Sequence, residues 1–473
     1  MNTRKRNRQE EMELEAAGTG MTNLLWNKYT DQSNFALYSP FFVCLAAGNL
    51  ASPAFCHCLN QELHFLHAFV QACEMAEESE ESEGRQTAMR ILKERERKKI
   101  EAHYTFIHVS AQQCEGLLEY MSSSLNSEEL EILEKLYHQA LKLNVEFFVA
   151  QPISQPTIAP LLHMNGDRRL ALFCGFDETC IPYNSPTILS LVVQGSARKR
   201  GEAFHKSADE LKGIWDLVIT AYGNKYDELM KNVNNSNETG GVFNYEGITR
   251  ALEDIGEFDK EATAKVEEFG LFKDLTLDNI TRVGQHLGLH NGCQSFLEKT
   301  VENPRTDVHV LSYSWCGDLV KAAFSSGGFD RVLNIHSNEF AYEDSVSTGR
   351  IIKKIESATD RLKAMKVILN SIQLRDKRID HLKVYIGGTV SELLCLLEAD
   401  IGIVIDPKQS LRSFGNRFGV SFVPLFPALV RKQKQPPWGA VGSSSSFPFR
   451  KPLSGILYTV SSWSEIHAFI LGV

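Results

Sequence analysis

The sequence has no apolar run approaching the ~20 residues of a membrane-spanning helix, which excludes a helical span. It has no C-x-x-C pair either. Its 10 cysteines are scattered, and the only close group, Cys56-His57-Cys58, lacks the spacing of a zinc knuckle or redox pair. Reduced, mostly buried thiols in an intracellular protein are expected. Positive charge is not in excess. Lys and Arg number 50 against 59 Asp and Glu, a net charge of -9 that argues against a nucleic-acid or anionic-membrane surface, since both need a concentrated positive field. Small-molecule substrates or other proteins are the partners left. The opening MNTRKRNRQEEMELEAAG is basic and then strongly acidic, unlike acid-poor organelle transit peptides, so a cytoplasmic location is expected. No internal repeat is found.

What is present is ordinary globular material: 473 residues, 43% hydrophobic, enough for two or three domains. Residues 1–21 read as a tail and 22–150 as a helical bundle. Ser52-Pro53 is an N-cap followed by proline at the first helical position. Phe55, Leu59, Leu66, Phe69, Val70 and Cys73 then recur at three- and four-residue steps, predicting a helix from Pro53 to about Ala76 that stops at the solvated acidic turn EESEESEG, 77–84. A second helical region covers 86–125. A third begins at Asn126, with Glu129 completing a capping box, and carries Leu130, Leu133, Leu136, Tyr137, Ala140 and Leu141 on one face. Prolines at 152, 156 and 160 cannot continue a helix and make 151–166 a linker.

From 167 to 473 the pattern changes to short apolar runs separated by helices. The runs are LALF (170–173), VHVLS (308–312), VLNI (332–335), VYIG (384–387), IGIVI (401–405) and VSFVPLF (420–426). Strands of that length alternating with helices predict a parallel α/β sheet covered on both faces. Some 130 helical residues separate the first two runs, including DELKGIWDLVITAYGNKYDELM at 209–230. They read as an inserted helical cap at about 185–300. The stretch 432–449 reads as a flexible loop. The fold class is therefore α plus α/β: a helical bundle, then a parallel sheet with a helical insertion.

Ligands of open α/β sheets bind outside the carboxyl ends of the strands. Four stretches qualify: Asp177-Glu178-Thr179, Ser312-Tyr313-Ser314, the helical Asp360-Arg361-Leu362-Lys363, and Gly387-Gly388-Thr389-Val390-Ser391-Glu392. The first closes LFCGFDETC, 172–180, an apolar run that delivers an acid to a site or simply ends a strand. The arrangement resembles the haloacid dehalogenase-like (HAD) phosphatases, whose first strand ends in D-x-D-x-T. Stretches such as LLCLLEADIGIV and FGVSFVPLFP are similar to a plant bifunctional family that joins a TenA (thiaminase II-like) domain to a HAD phosphatase acting on thiamin monophosphate, and the similarity covers nearly the whole chain.

The resemblance implies roles residue by residue. Gly175 stands at the nucleophile position, Asp177 matches the general acid/base and a Mg²⁺ ligand, and Thr179 matches the motif threonine. Ser312 matches the phosphate-binding serine. Arg361 stands where the family has lysine, keeping charge but changing geometry. Gly388 replaces the first acid of the Mg²⁺ turn, and Glu392 matches the second. Some HAD proteins use D-x-T, which would make Asp177 the nucleophile, displaced by about two rises of ~3.3 Å. A structural strand-end role for Asp177 is the third alternative.

In the bundle, Glu62 lies amid the stripe Phe55, Leu59, Leu66, Phe69, where a buried carboxylate needs a partner unless it reaches solvent at the stripe's edge. Glu146 shares a face with Leu143, Leu136 and Ile132. The TenA resemblance implies that Glu62 grips a pyrimidine amine and Glu146 is the catalytic glutamate, acting on thiamin breakdown products without a metal. Helices that the family places between HYTFI (103–107) and SAQQCE (110–115) are missing here. The family also implies Mg²⁺ for the phosphatase and a mitochondrial location as the alternative to the cytoplasm; a homo-oligomer through the bundle is a further alternative to a monomer. Two readings stand: a thiamin-salvage hydrolase, or a non-catalytic relative that keeps the fold and binds ligands or active homologues.

Overall fold

A computed structural model describes residues 25, 28–79, 83–103, 126–155, 157–164, 169–201, 204–235, 242–325, 333–375, 381–434 and 452–472. The chain divides into two compact units: Met1–Pro160 with Gln433–Trp438 and Gly472–Val473, and Leu161–Lys432 with Gly439–Leu471.

The first unit is helical, with α1 (Thr30–Leu37), α2 (Pro40–Ala47), α3 (Ser52–Ser79), α4 (Glu83–His103) and α5 (Ser127–Val149). Helix α2 starts on the Ser39 cap with Pro40 at its first position, and ends on Gly48 in the left-handed region. The capping box of α5 forms as its sequence predicts: Asn126 Oδ1 accepts from the backbone N–H of Glu128 and Glu129, and Glu129 Oε2 accepts from that of Asn126 at 2.9 Å. Helix α3 buries Ala54, Cys58, Leu66, Val70 and Cys73. It runs past Ala76 into the acidic stretch, because Glu77 receives Lys93 at 2.6 Å and Arg90 at 3.0 Å from α4 and so has a reason to stay helical. On α5 the expected face is the inward one at Leu130, Leu133, Tyr137 and Leu141, which are half-buried, whereas Leu136 and Ala140 are exposed. Val145 extends that face and is buried; the ring of Tyr29 lies tilted beside Tyr137, and the rings of Phe41 and Phe42 pack on Phe148. The second half of the expected 86–125 helical region and the 435–451 loop fall outside the described residues.

The second unit is built on a seven-stranded, wholly parallel sheet. Its strands are β1 (Arg169–Cys174), β3 (Thr306–Leu311), β4 (Asn334–His336), β7 (His381–Gly387), β8 (Ile401–Ile405), β9 (Ser421–Pro424) and β10 (Ile456–Val460), in the order β4-β3-β1-β7-β8-β10-β9. All six predicted strands are present; IGIVI coincides with β8, and the others differ by at most three residues at either end. Strand β10 was missed. A second, antiparallel sheet, also missed, has the order β2-β6-β5, from β2 (Lys273–Thr276), β5 (Glu339–Glu343) and β6 (Val346–Ile352). The β5–β6 hairpin turns on Asp344 and Ser345, both at positive φ (48° and 63°) without glycine, so its turn carried no glycine signal. The insertion after β1 provides α6 (Ser185–Arg200), α7 (Ala208–Asn235) and α8 (Tyr245–Glu268).

Strand register gathers the site. Cys174 at the end of β1 lies opposite Val310 of β3 and Ile386 of β7. The residues after these three strands, 175–179, 312–315 and 387–392, are thereby brought to one edge of the sheet. Helix α9 (Ala358–Arg375) brings Arg361 to the same place.

Candidate active site

Strand β1 is buried from Leu170 to Cys174, and its end is held by Gly175 N–H donating to Ile386 O at 3.0 Å. Two residues on, Asp177 takes a bond at each oxygen from the start of α6: Ser185 N–H donates to Oδ1 at 2.5 Å and Ser185 Oγ to Oδ2 at 3.1 Å. Burial pushes its carboxyl up to about 6 against these bonds, into the range where it can carry a proton or accept one near neutral pH. Glu178 has φ 55°, a conformation costly for a side chain with a Cβ, and its carboxylate pairs with Lys408 at 2.9 Å. Thr179 is buried; its carbonyl accepts from Trp463 Nε1 at 3.0 Å.

Position 175 is not empty space. A Cβ built there would overlap Glu392 Oε1, stand 2.7 Å from Glu392 Cδ and 3.1 Å from Thr179 Oγ1. The carboxylate of Glu392, buried to 1% exposure, lies where the missing side chain would begin. Gly387 completes the niche, since a Cβ at 387 would come within 2.8 Å of Oε2. Oε2 accepts from the N–H of Gly388 (2.8 Å) and Thr389 (2.9 Å) and from Thr389 Oγ1 (2.9 Å), making Glu392 the capping-box acid of its own turn. Oε1 faces Arg361 Nη1 at 3.5 Å.

Arg361 is 4% exposed, its guanidinium 3.8 Å over the ring of Tyr313 and Nη1 donating to Ser391 Oγ at 3.3 Å. Its Nε and the phenol oxygen of Tyr313 are buried without a hydrogen-bond partner. Both residues line a cavity of about 400 Å³ above the strand ends, together with Asp177, Glu392, Tyr222 and Trp315. Asp259 of α8 also lines it. Burial pushes its carboxyl up to about 6, and Tyr222 donates to it at 2.7 Å. A buried cation with unused donor capacity beside a proton-carrying acid suits a phosphoryl oxygen.

The residues do not suit the family's Mg²⁺. The positions where the resemblance implies carboxylates, 175 and 388, are glycines, Oε2 of Glu392 is spent on its own turn, and among the described residues no group of three His, Cys, Asp or Glu is placed to hold a metal. A carboxylate at 388 would not restore the site cheaply, because its Cβ would stand 2.8 Å from the backbone oxygen of Glu178.

The structure thus gathers Asp177, Thr179, Arg361 and Glu392 around one point. Ser312 is buried nearby but spends its hydroxyl accepting from Ser314 N–H at 3.0 Å; its neighbours Tyr313 and Trp315 line the cavity instead. In the first unit Glu62 is in line with Ala54, Cys58, Leu66 and Val70 yet is exposed, and Glu146 is exposed with Ile132, Leu136 and Leu143. This corrects the expectation of two carboxylates inside a bundle core. Their helices do pass close: Gln151 Nε2 donates to Gln61 Oε1 at 2.8 Å and to Phe147 O at 2.9 Å. Asp259 and Tyr222 were missed. Asp259 was findable, since it continues the buried α8 stripe Ile248, Leu252, Ile255 as a carboxylate in an apolar row.

Compared with known proteins, the chain is 37% identical to the bifunctional TH2 protein, mitochondrial, of Arabidopsis thaliana, over 553 aligned residues that cover 95% of this chain and 88% of the relative. The chain belongs to the bifunctional TH2 family. Its described residues form a helical unit and a parallel α/β unit, and the aligned length exceeds its own 473 residues, so part of the relative has no counterpart here. Among solved structures, a phosphoserine phosphatase with a phospho-aspartyl intermediate analogue matches 52% of this chain and 91% of its own at 15% identity and TM-score 0.32. A HAD family hydrolase from Salmonella enterica serovar Typhi matches 62% and 75% at 16% identity and TM-score 0.32. No family model matches the chain.

Proposed function

We propose that the HAD-like unit is a phosphomonoester hydrolase whose substrate is thiamin monophosphate, the substrate of the family the chain resembles. The observation that carries this is the pairing, in one cavity, of Asp177 with its raised pKa and the underbonded cation Arg361. Arg361 holds the phosphoryl oxygens, and Asp177 protonates the departing alcohol and then deprotonates the attacking water. The test is phosphate release from thiamin monophosphate by the purified protein and by Asp177→Asn. Release that Asp177→Asn lowers roughly a hundredfold or more supports the reading; no release, or release indifferent to the substitution, overturns it.

The second reading, a ligand-binding relative without turnover, is favoured by the glycines at 175 and 388. It is supported if thiamin monophosphate protects the protein against heat without being hydrolysed. For the bundle, hydrolysis of amino- or formylamino-pyrimidine breakdown products rests on the family alone, since Glu62 and Glu146 are exposed. The exposed Ile132, Leu136 and Leu143 on α5 support self-association through the bundle, which sedimentation tests. The relative's name is mitochondrial, and import into isolated mitochondria decides between that compartment and the cytoplasm.

A further inference from the structure

We propose that Glu392 supplies the carboxylate nucleophile that position 175 lacks, delivered from the turn after β7 instead of from the end of β1. This rests on the phosphatase reading and adds a catalytic residue to it.

Three observations carry it. The niche is built for a carboxylate: Gly175 and Gly387 are the two positions where a Cβ would collide with the Glu392 carboxylate, at Oε1 and Oε2 respectively. The two oxygens have separate work. Capping the 389–392 turn needs a single acceptor, and Oε2 fills that role with three short bonds. Oε1 has only the long 3.5 Å approach of Arg361, and it lies within the volume a side chain at 175 would occupy. Finally, the surroundings match what a nucleophile needs. Arg361 retains an unused donor at Nε, and Asp177, two residues after Gly175, lines the same cavity as Glu392. Capping accounts for Oε2 and the Arg361 pair holds Oε1 from one side, which leaves Oε1 free to face the volume that a side chain at 175 would fill.

The step balances without an external redox partner or metal. Oε1 attacks phosphorus, and the new O–P bond forms as the P–O bond to the alcohol breaks; the leaving alkoxide takes the proton of Asp177. Water, deprotonated by Asp177, then attacks phosphorus. The glutamyl O–P bond breaks, inorganic phosphate departs, and Glu392 returns as a carboxylate.

The experiment mixes the protein with thiamin monophosphate and, separately, with p-nitrophenyl phosphate, quenches in acid within the first turnover, and weighs the peptide containing Glu392. A gain of one phosphoryl group on that peptide is expected. It should accumulate in Asp177→Asn with p-nitrophenyl phosphate, whose leaving group needs no acid, because the second step has lost its base. Glu392→Gln should lower phosphate release roughly a thousandfold or more. Release that is lost in Asp177→Asn but kept in Glu392→Gln overturns the nucleophile assignment and leaves the phosphatase reading standing. A phosphoryl group found on Asp177 does the same. No release from either substrate by the parent overturns both. The mass measurement on the unsubstituted protein keeps the proposal testable even where Glu392→Gln fails to fold.

Discussion

Gly175→Ala is the smallest change that probes the site. Its single added carbon would overlap Glu392 Oε1 and crowd Cδ at 2.7 Å, so the carboxylate must withdraw. Overpacking of a buried site costs about 1–3 kcal/mol. Withdrawal also strips acceptors from the N–H of Gly388 and Thr389 and pulls Glu392 from Arg361, two nearly buried charges. Breaking such a pair brings the expected loss to about 3–5 kcal/mol. Urea unfolding of the α/β unit, followed by tryptophan fluorescence, should show a lower midpoint at unchanged slope. The control is a double-mutant cycle with Glu392→Ala. Each single change is destabilising, but the double variant has no clash, so the cycle should close with a coupling of about 1–3 kcal/mol in its favour. Gly175→Ala within about 0.5 kcal/mol of the parent, or strict additivity, would refute the close packing of Glu392 on Gly175.

Other expectations rest on the same geometry. If protonation of the leaving group limits the reaction, phosphate release should decline as pH rises through about 6, where Asp177 loses its proton, and Asp177→Asn should flatten that limb. Asp259 has its folded pKa raised from 3.8 to about 6, so its stabilising contribution is complete below about 4 and is lost as pH rises through 6. Asp259→Asn should therefore flatten the fall in stability between pH 4 and 6 and, at pH 7.5, recover about 1–3 kcal/mol, read from denaturant midpoints. Glu62→Ala and Glu146→Ala remove exposed carboxylates and should shift unfolding by no more than about 0.5 kcal/mol.

Much of this protein was legible in its sequence because local rules and tertiary demands agree. The Asn126 capping box, the apolar runs of the parallel sheet and the long insertion helix at 208–235 each announce themselves in consecutive residues. The antiparallel sheet was hidden because β2 is four residues with two charges, and the β5–β6 turn uses Asp344-Ser345 where glycine or asparagine would have flagged it. The face of α5 was legible at Leu130, Leu133, Tyr137 and Leu141, but periodicity fixes a stripe and not how far its neighbours cover it, so Leu136 and Ala140 were placed inward and lie exposed. At the site, the sequence marked Gly175 as a loss. Only three dimensions show that a carboxylate 217 residues further along the chain fills the gap, since no spacing rule links Glu392 to Gly175.

A carboxylate exchange tests the central claim most directly. Phosphate release from thiamin monophosphate is compared for the parent, Glu392→Ala, and Glu392→Ala combined with Gly175→Asp. Shortening residue 392 clears the volume that a side chain at 175 needs. The expected result is release by the parent, none by Glu392→Ala, and measurable recovery in the combined variant, with the carboxylate restored from the β1 side. Release by Glu392→Ala at the rate of the parent would contradict the assignment of Glu392 as nucleophile.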